Sequence, residues 1–368
     1  MSATAYPTGH PLAARIWSKR IIREAMKECF AYKFMGEGSN NLVQVFDEAQ
    51  KGAGDKIRVP LRMQLTGRGV DENDALEGNE EALVTHYDDV VINDLAHAAR
   101  SKVTIDAQRV PFSVREECRQ GISDWYADRV DSWVANQLAG YSDLADTIYT
   151  GNQVALAPLG NGVASDGTKR WIYGDANTGT LTEASISAAQ TFALSVLDRC
   201  VNIAKTTSPL IRPIKLGGSS FYVCFLHPDS VRDLRTNTNT GQWLDIQKAA
   251  MMGGEIENNP IFTGALGVYN GVVLHEWTRL PGDSRNPIAA NSSVRRNVFA
   301  GAQAVAFAWG KGYSEEPKYV EETFDYGRQF GASVQTIAGC KATRFLTAAG
   351  GTGVDFGKIV ISSYATAP

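Results

Sequence analysis

Strict alternation of apolar and polar residues marks one segment clearly: Ile57, Val59, Leu61, Met63 and Leu65 interleave with Arg58, Pro60, Arg62 and Gln64. A period of two predicts a strand with one apolar and one polar face. Pro60 cannot donate to a strand ladder, which places it on an edge or at a bulge. A Gly-rich, acidic stretch follows, and a second strand is expected around Leu83 to Leu95. The two predict a long two-stranded ribbon with a large loop at its tip. Such a ribbon is marginal alone in water, so its apolar face needs a cover. If it projects from the body, that cover is another subunit.

Helical periods lie on either side. Trp17, Ile21, Ala25 and Cys29, with Ile22, Met26 and Phe30 beside them, predict a helix from about Ala13 to Phe34, stopped by Gly36 and Gly38. A longer helix is expected from about Pro111 to Ala139. It carries Val114, Cys118, Ile122, Trp125, Tyr126, Val130, Trp133, Val134 and Leu138 at helical spacing. Ser113 and Glu116 fit a capping box at its start, and Gly140 sits at its stop. Roughly 26 residues at 1.5 Å each make a rod of about 39 Å. From about Tyr141 to Thr182 the chain turns to Gly, Asn, Asp and Thr and reads as loops. A third helix is expected from about Ser185 to Thr206. Beyond it come strands at Phe221–His227, Val272–Trp277, Ala304–Trp309, Tyr319–Thr323 and Lys358–Tyr364, and a short helix opened by Pro228. Segregated strands and helices give an α+β class. No repeat of fixed period is present.

Composition narrows the function. Of 368 residues, 43% are hydrophobic and 21% charged, so a packed core is feasible. The net charge of -4 argues against a protein that grips phosphates, but does not exclude a container for nucleic acid, whose inner wall should avoid sticking to its contents. Charge is unevenly placed: nine acids (Asp71, Glu72, Asp74, Glu77, Glu80, Glu81, Asp88, Asp89, Asp94) lie within 71–95 without a Lys or Arg. Residues 1–70 hold eleven bases, among them Arg15, Lys19, Arg20, Arg23 and Lys27, against six acids. A basic arm and an acidic loop can pair within or between subunits, or be two solvated faces. Five scattered cysteines (Cys29, Cys118, Cys200, Cys224, Cys340), without a CxxC, read as reduced thiols in a cytoplasmic setting. There is no basic-then-apolar leader pattern at the N-terminus, and no apolar run of about 18 residues.

Reactive constellations are missing from the pattern. The five histidines (His10, His86, His97, His227, His275) form no HExxH, and His275-Glu276 falls in a strand, where the two side chains diverge. His227-Pro228-Asp229 matches the tripeptide of chaperone J-domains but follows a buried strand. Asp71–Leu76 departs from an EF-hand loop and lacks its glycine. Gly353–Lys358 is one residue short of a phosphate loop, with Ile359 where Ser or Thr is needed. No catalytic, cofactor-binding or metal residues are assigned, and no cofactor is expected.

The order of arm, ribbon, long helix, α/β region and returning strands resembles the fold shared by the capsid proteins of tailed phages and herpesviruses. Lys33–Asn41, Leu76–Ala82 and Arg109–Arg115 are similar to the branch called phage capsid-like protein. Tyr269–Val273, Phe299–Val305, Asp325-Tyr326-Gly327, Gly339-Cys340-Lys341 and Asp355-Phe356-Gly357 continue the resemblance. It implies an N-terminal arm at 1–50 and an extended loop, a β-hairpin, at 51–108. It implies a peripheral domain at 109–219 and 301–368 with spine helix 111–139, and an axial domain at 220–300. It also implies a major capsid protein, not an enzyme, that joins copies of itself as hexamers and pentamers into an icosahedral shell around double-stranded DNA. The DNA would be enclosed without sequence-specific binding and no membrane would be involved. Assembly would take place in the host cytoplasm and the product would be the virion. A portal protein is an expected partner, and a decoration protein is compatible with the resemblance.

Two departures sharpen the expectation. Some family members crosslink a loop lysine to a neighbour's asparagine, yet residues 69–101 contain no lysine, so no crosslink through the loop tip is expected. Others carry a cleaved scaffolding segment of about a hundred residues before the arm. Here the arm begins almost at Met1, which implies a separate scaffolding protein or none. Two other readings stay open: an encapsulin-type nanocompartment, discriminated by an enzyme cargo, and a cytoplasmic enzyme with a dispersed site, discriminated by a pocket of perturbed titratable groups.

Overall fold

The computed structural model describes residues 29–47, 56–62, most of 65–83, 85–102, 108–141 apart from 112, 170–174, 182–207, 209–216, 218–236, 266–282, 287–288, 291–310, 318–346 and 353–365. In chain order the elements begin with β1 (Met35–Gly36), β2 (Val43–Phe46), β3 (Lys56–Arg62), β4 (Thr85–Val91), β5 (Asn93–Arg100) and α1 (Val114–Ala139). Then come β6 (Trp171–Tyr173), α2 (Leu194–Thr206), β7 (Ile214–Leu216), β8 (Ser219–Leu226), α3 (Pro228–Thr236), β9 (Gly267–Tyr269), β10 (Val272–Glu276) and β11 (Val294–Ala300). The C-terminal part holds β12 (Val305–Trp309), β13 (Lys318–Phe324), β14 (Gln329–Ala342), β15 (Arg344–Leu346), β16 (Gly353–Asp355) and β17 (Lys358–Tyr364).

Two sheets organise these strands. The first is built on the 14-residue β14. β12 and β13 run end to end along one side of it, pairing with residues 338–342 and 329–335, while β5 pairs with residues 331–338 on the other. β2 and β1 extend the sheet outward from β12. The second sheet has the order β6-β17-β11-β8-β10-β9, with β7 on the start of β8. β8 and β10 are parallel, and β11 is antiparallel to both β8 and β17. Helix α1 lies against the first sheet through Tyr126, Val130, Trp133 and Leu138, all in one core with Phe307, Val334 and Cys340. α2 covers the second sheet through Leu197, Cys200 and Val201, packed with Cys224, Phe299 and Ile359.

Helix ends follow local chemistry. Ser113 Oγ accepts from the Glu116 amide at 3.4 Å, one half of the expected box, and Gly140 takes a left-handed φ of 64° as the C-terminal stop. α1 starts at Val114, three residues after the expected Pro111.

Three expectations change. The first helix does not run to Phe34 as an α-helix: Cys29 and Phe30 precede a single 3-10 turn, Ala31–Phe34, and Met35 is already extended. Residues 13–28 of that helix lie outside the described residues. The third helix starts at Leu194, not Ser185. Ser185 closes a tight turn with Thr182, and Gln190 Oε1 accepts from the Ser187 amide at 2.8 Å, so side chains satisfy the backbone in place of helical bonds. The segment 301–368, expected to stay with the spine helix, is divided: β12–β14 lie in the first sheet and β17 lies inside the second. β17 is buried on both faces because it is an interior strand.

Candidate assembly interface

The ribbon forms as the alternation predicts, with Lys56–Arg62 antiparallel to Thr85–Val91. Its second strand continues past Ile92 directly into β5, so one stretch of chain serves both ribbon and sheet. The apolar face at the ribbon's base is covered by its own chain. Ile57, Val59 and Val90 pack with Ala306, Ala308, Phe345 and Phe356. Each buried aliphatic side chain is worth about 1.5–3 kcal/mol, enough to fix a hairpin that is marginal alone. Close approach is built in at Gly339, where a Cβ would lie 2.2 Å from the carbonyl oxygen of Val91.

A polar clamp seals this junction. Asp88, 6% exposed, accepts from Lys341 Nζ and, at 2.9 Å, from the amide of Arg344. Lys341 Nζ also donates to the Asp89 carbonyl at 3.0 Å, and the Arg344 guanidinium pairs with buried Asp355 at 2.7 Å. Of the nine acids, Asp88 serves the chain's own architecture here, Asp89 forms a cross-strand pair with Arg58 at 2.8 Å, and Glu80 and Glu81 accept from the amides of Gly78 and Gly67 within the loop. The bases Arg15, Lys19, Arg20, Arg23, Lys27 and Lys51 lie outside the described residues. Beyond the clamp the tip changes character. Leu65, Leu76 and Leu83 are 55%, 66% and 56% exposed, set among exposed Glu72, Glu77, Glu80 and Glu81. An apolar trio on an acidic loop is a surface suited to a partner, not to bulk water.

A second polar cluster joins α1 to the second sheet. α1 has no basic residue in its last turn, although its C-terminal carbonyls carry partial negative charge. Two buried cations from elsewhere supply the complement. Arg296 Nη1 donates to the carbonyls of Ala139 and Gly140 at 3.2 and 2.9 Å, while Nε and Nη2 form a bidentate pair with Glu183, both at 2.7 Å. Its guanidinium lies over Tyr141 and Trp171. Lys358 Nζ donates to the Gln137 carbonyl at 2.8 Å. Neighbouring Asn297 donates to Ser230 and Ser363 at 3.1 and 3.0 Å, and Arg295 Nε donates to Asp229 at 2.6 Å.

Burial pulls the Lys358 pKa down from the ordinary 10.5 to about 8, with Asp355 acting in the opposite direction. From about pH 8 to 10.5 the unfolded chain still binds that proton and the folded chain has released it. Stability contributed by Lys358 therefore rises with pH across this window and is lost as pH falls through about 8. In urea titrations from pH 7 to 10.5, wild type should gain on Lys358→Met by on the order of 3 kcal/mol. A pH-independent difference between the two would refute the assignment.

The third junction is Asp131, buried on α1. It accepts from the Ala31 amide at 2.8 Å, Trp277 Nε1 at 3.0 Å and Cys29 Sγ at 3.4 Å. One carboxylate thus joins the end of the arm, the spine helix and the loop after β10.

Several of the described residues weighed for chemistry take part in the chain's own packing. Among the described residues no cluster of three or more His, Cys, Asp and Glu could hold a metal. His227 follows β8, and its Nδ1 accepts from the Asp229 amide at 3.2 Å at the start of α3. Gly353–Lys358 is β16 and the start of β17, with the lysine committed to α1. Trp133 packs on Phe307, and Trp125, half buried, stacks on His97 at 4.3 Å. Both belong to the chain's own packing. The five cysteines are free. No helix is long and apolar enough to cross a membrane among the described residues. Arg295, Arg296, Asn297, Glu183 and Asp131 are not singled out by sequence reasoning. A pair of arginines inside an apolar strand-length run, Val294–Ala300, was the available signal.

Comparison with known proteins agrees with this architecture. The family model described as phage capsid protein matches residues 5–367. The major capsid protein of Pseudomonas phage KPP25 is 28% identical over 353 residues, covering 90% of this chain and 89% of that one. The capsid of Ralstonia phage GP4 superposes with a TM-score of 0.75 at 27% identity, over 100% of this chain and 99% of the other. The capsid of cyanophage Pam1 gives 0.67 at 19% identity over 93% and 94%, a likeness of fold. These relatives favour the capsid reading over the nanocompartment and enzyme readings. With the family model spanning nearly its whole length, the chain belongs to the phage capsid protein family.

Proposed function

We propose that this major capsid protein assembles as hexamers and pentamers into the closed icosahedral shell around the double-stranded DNA of a tailed phage, without catalysis of its own. The observation that carries the reading is the ribbon: its base is clamped to the body through Asp88 and Lys341, while its tip presents Leu65, Leu76 and Leu83 to the surroundings. A loop rigid at its root and apolar at its end is suited to a neighbouring subunit. Segments 1–50, 51–108, 109–219 with 301–368, and 220–300 then act as arm, extended loop, peripheral domain and axial domain, with β17 lending a strand to the axial sheet. A portal protein occupies one vertex, a separate scaffolding protein or none guides closure, and assembly proceeds in the host cytoplasm.

Sedimentation and negative-stain microscopy of the purified chain test this. Closed shells, hexamers or pentamers are expected, alone or with scaffolding protein added. A small defined oligomer that persists with scaffolding protein present overturns the proposal. Intact particles should also dissociate fully to monomer on denaturing gels, because residues 69–101 lack lysine. A ladder of covalent multimers would contradict that.

A further inference from the structure

The chain contains Asn-Gly twice, at 161–162 and 270–271, and the second pair lies among the described residues. It forms the turn between β9 and β10, where Tyr269 pairs with Val272 and leaves two residues to close the hairpin. Both take left-handed φ, 46° at Asn270 and 73° at Gly271, the type I′ geometry that a two-residue hairpin turn favours. β9 is only three residues long and is the outermost strand of the second sheet among the described residues.

Helix α2 supplies a hold on this edge. Asp198, exposed on α2, accepts from Asn270 Nδ2 at 2.9 Å through one carboxylate oxygen and from the Tyr269 hydroxyl at 3.0 Å through the other. The Tyr269 ring packs against the core beneath. Burial, with Asp198 beside it, holds the Tyr269 phenol above its ordinary 10, so this donor persists in mild alkali.

Asn-Gly is the dipeptide most open to deamidation, because glycine has no Cβ to shield its nitrogen from the asparagine side chain. The Gly271 nitrogen, once base has taken its proton, attacks Cγ of Asn270, and Nδ2 leaves as ammonia. Water then opens the five-membered imide and leaves aspartate or isoaspartate at 270. Two features of the fold oppose the attack. The imide requires a backbone torsion at the asparagine far from that of a type I′ turn. Nδ2, the atom that must leave, is held by a charged acceptor that draws the side-chain amide toward α2.

We propose that Asn270-Gly271 is a gated deamidation site and that Asp198 is its gate: the amide persists while α2 holds it and is lost once the hairpin lifts. The product sets a carboxylate against Asp198 where a donor stood. Repulsion then keeps the hairpin off α2, so a transient opening of the sheet edge becomes permanent.

The test follows the full-length, unassembled chain in mildly alkaline buffer and so stands apart from shell formation. Intact mass reads the exchange of NH2 for OH, and peptide mapping separates position 270 from position 161. Asn270 should survive in the folded wild type while the same chain in guanidinium chloride loses it. Asp198→Ala should speed the loss about ten-fold, the factor that a hydrogen bond to a charged acceptor represents. Tyr269→Phe leaves the bond from the amide to Asp198 in place and should speed it less. Hydrogen exchange of the β10 amides shows that each variant is folded. Asn270→Asp, the product made directly, should quicken exchange at residues 267–269, and adding Asp198→Asn should reverse this. Loss at 270 as fast in the folded wild type as in denaturant, or no faster in Asp198→Ala than in wild type, overturns the gate. Unchanged exchange in Asn270→Asp overturns the permanent opening.

Discussion

Arg296→Ala is expected to lower the unfolding free energy of the unassembled chain by about 3–5 kcal/mol, the largest effect of any single substitution considered. The cost comes mostly from what is left behind. Glu183 is 8% exposed and loses both partners of its bidentate pair, so a carboxylate stays buried without its counter-charge. The carbonyls of Ala139 and Gly140 lose their donor at the negative end of α1. Arg296→Lys keeps the charge but not the planar fork that serves Glu183 and the helix end together, and should lose about half as much. Replacing the pair by Arg296→Met with Glu183→Leu should recover most of the loss, because neither charge then needs burial. Urea midpoints of the unassembled chain at constant m-value read all three. A cost below about 1 kcal/mol for Arg296→Ala, or a double variant as unstable as the two singles added, would remove the cluster from the account of stability.

Asp131→Ala is expected to cost about 2–4 kcal/mol, through two good donors left unsatisfied in the core, the Ala31 amide and Trp277 Nε1. Its effect should be regional. Residues 29–36 lose their tie to α1, so their amides should exchange faster than those of β14 under native conditions. Burial raises the Asp131 pKa above the ordinary 3.8, while its hydrogen bonds from Trp277, Ala31 and Cys29 pull the other way. As pH falls, the folded chain binds this proton before the unfolded chain does. Stability contributed by the titration is thus present below the unfolded value and lost as pH rises through the folded one. Asp131→Asn removes that dependence, so wild type should gain on it upon acidification. Uniform exchange across residues 29–36 and β14 in Asp131→Ala would show that the carboxylate does not hold the arm's end locally.

What the sequence determined by itself was whatever local period and local sterics dictate. The ribbon strands follow from alternation at Ile57–Arg62, and α1 from its apolar spacing, Ser113 and Gly140. β8, β10, β12 and β17 follow from short apolar runs, each within about two residues of its expected bounds. The family also was legible, because its motifs recur in order along nearly the whole chain.

Tertiary structure decided what local pattern cannot encode. β11 was missed because Arg295, Arg296 and Asn297 read as surface, and they are buried only because Asp229, Glu183, Ser230 and Ser363 arrive from distant segments to satisfy them. β14 was missed because its small residues, Gly331, Ala332, Gly339 and Ala342 among them, carry little strand signal. Two of them are set by close neighbours, the Val91 carbonyl at Gly339 and the Phe324 ring at Gly331, where a Cβ would lie 2.2 and 2.8 Å away. Residues 186–193 looked helical by apolar spacing, but side-chain bonds to the backbone at Ser185 and Gln190 outcompeted the helix. β17 enters the second sheet by pairing with β11 and with the distant β6, 189 residues away, and the ribbon's base reaches the chain's own body through contacts more than two hundred residues apart. Period fixes which face of a segment is apolar; only the assembled fold decides what covers it.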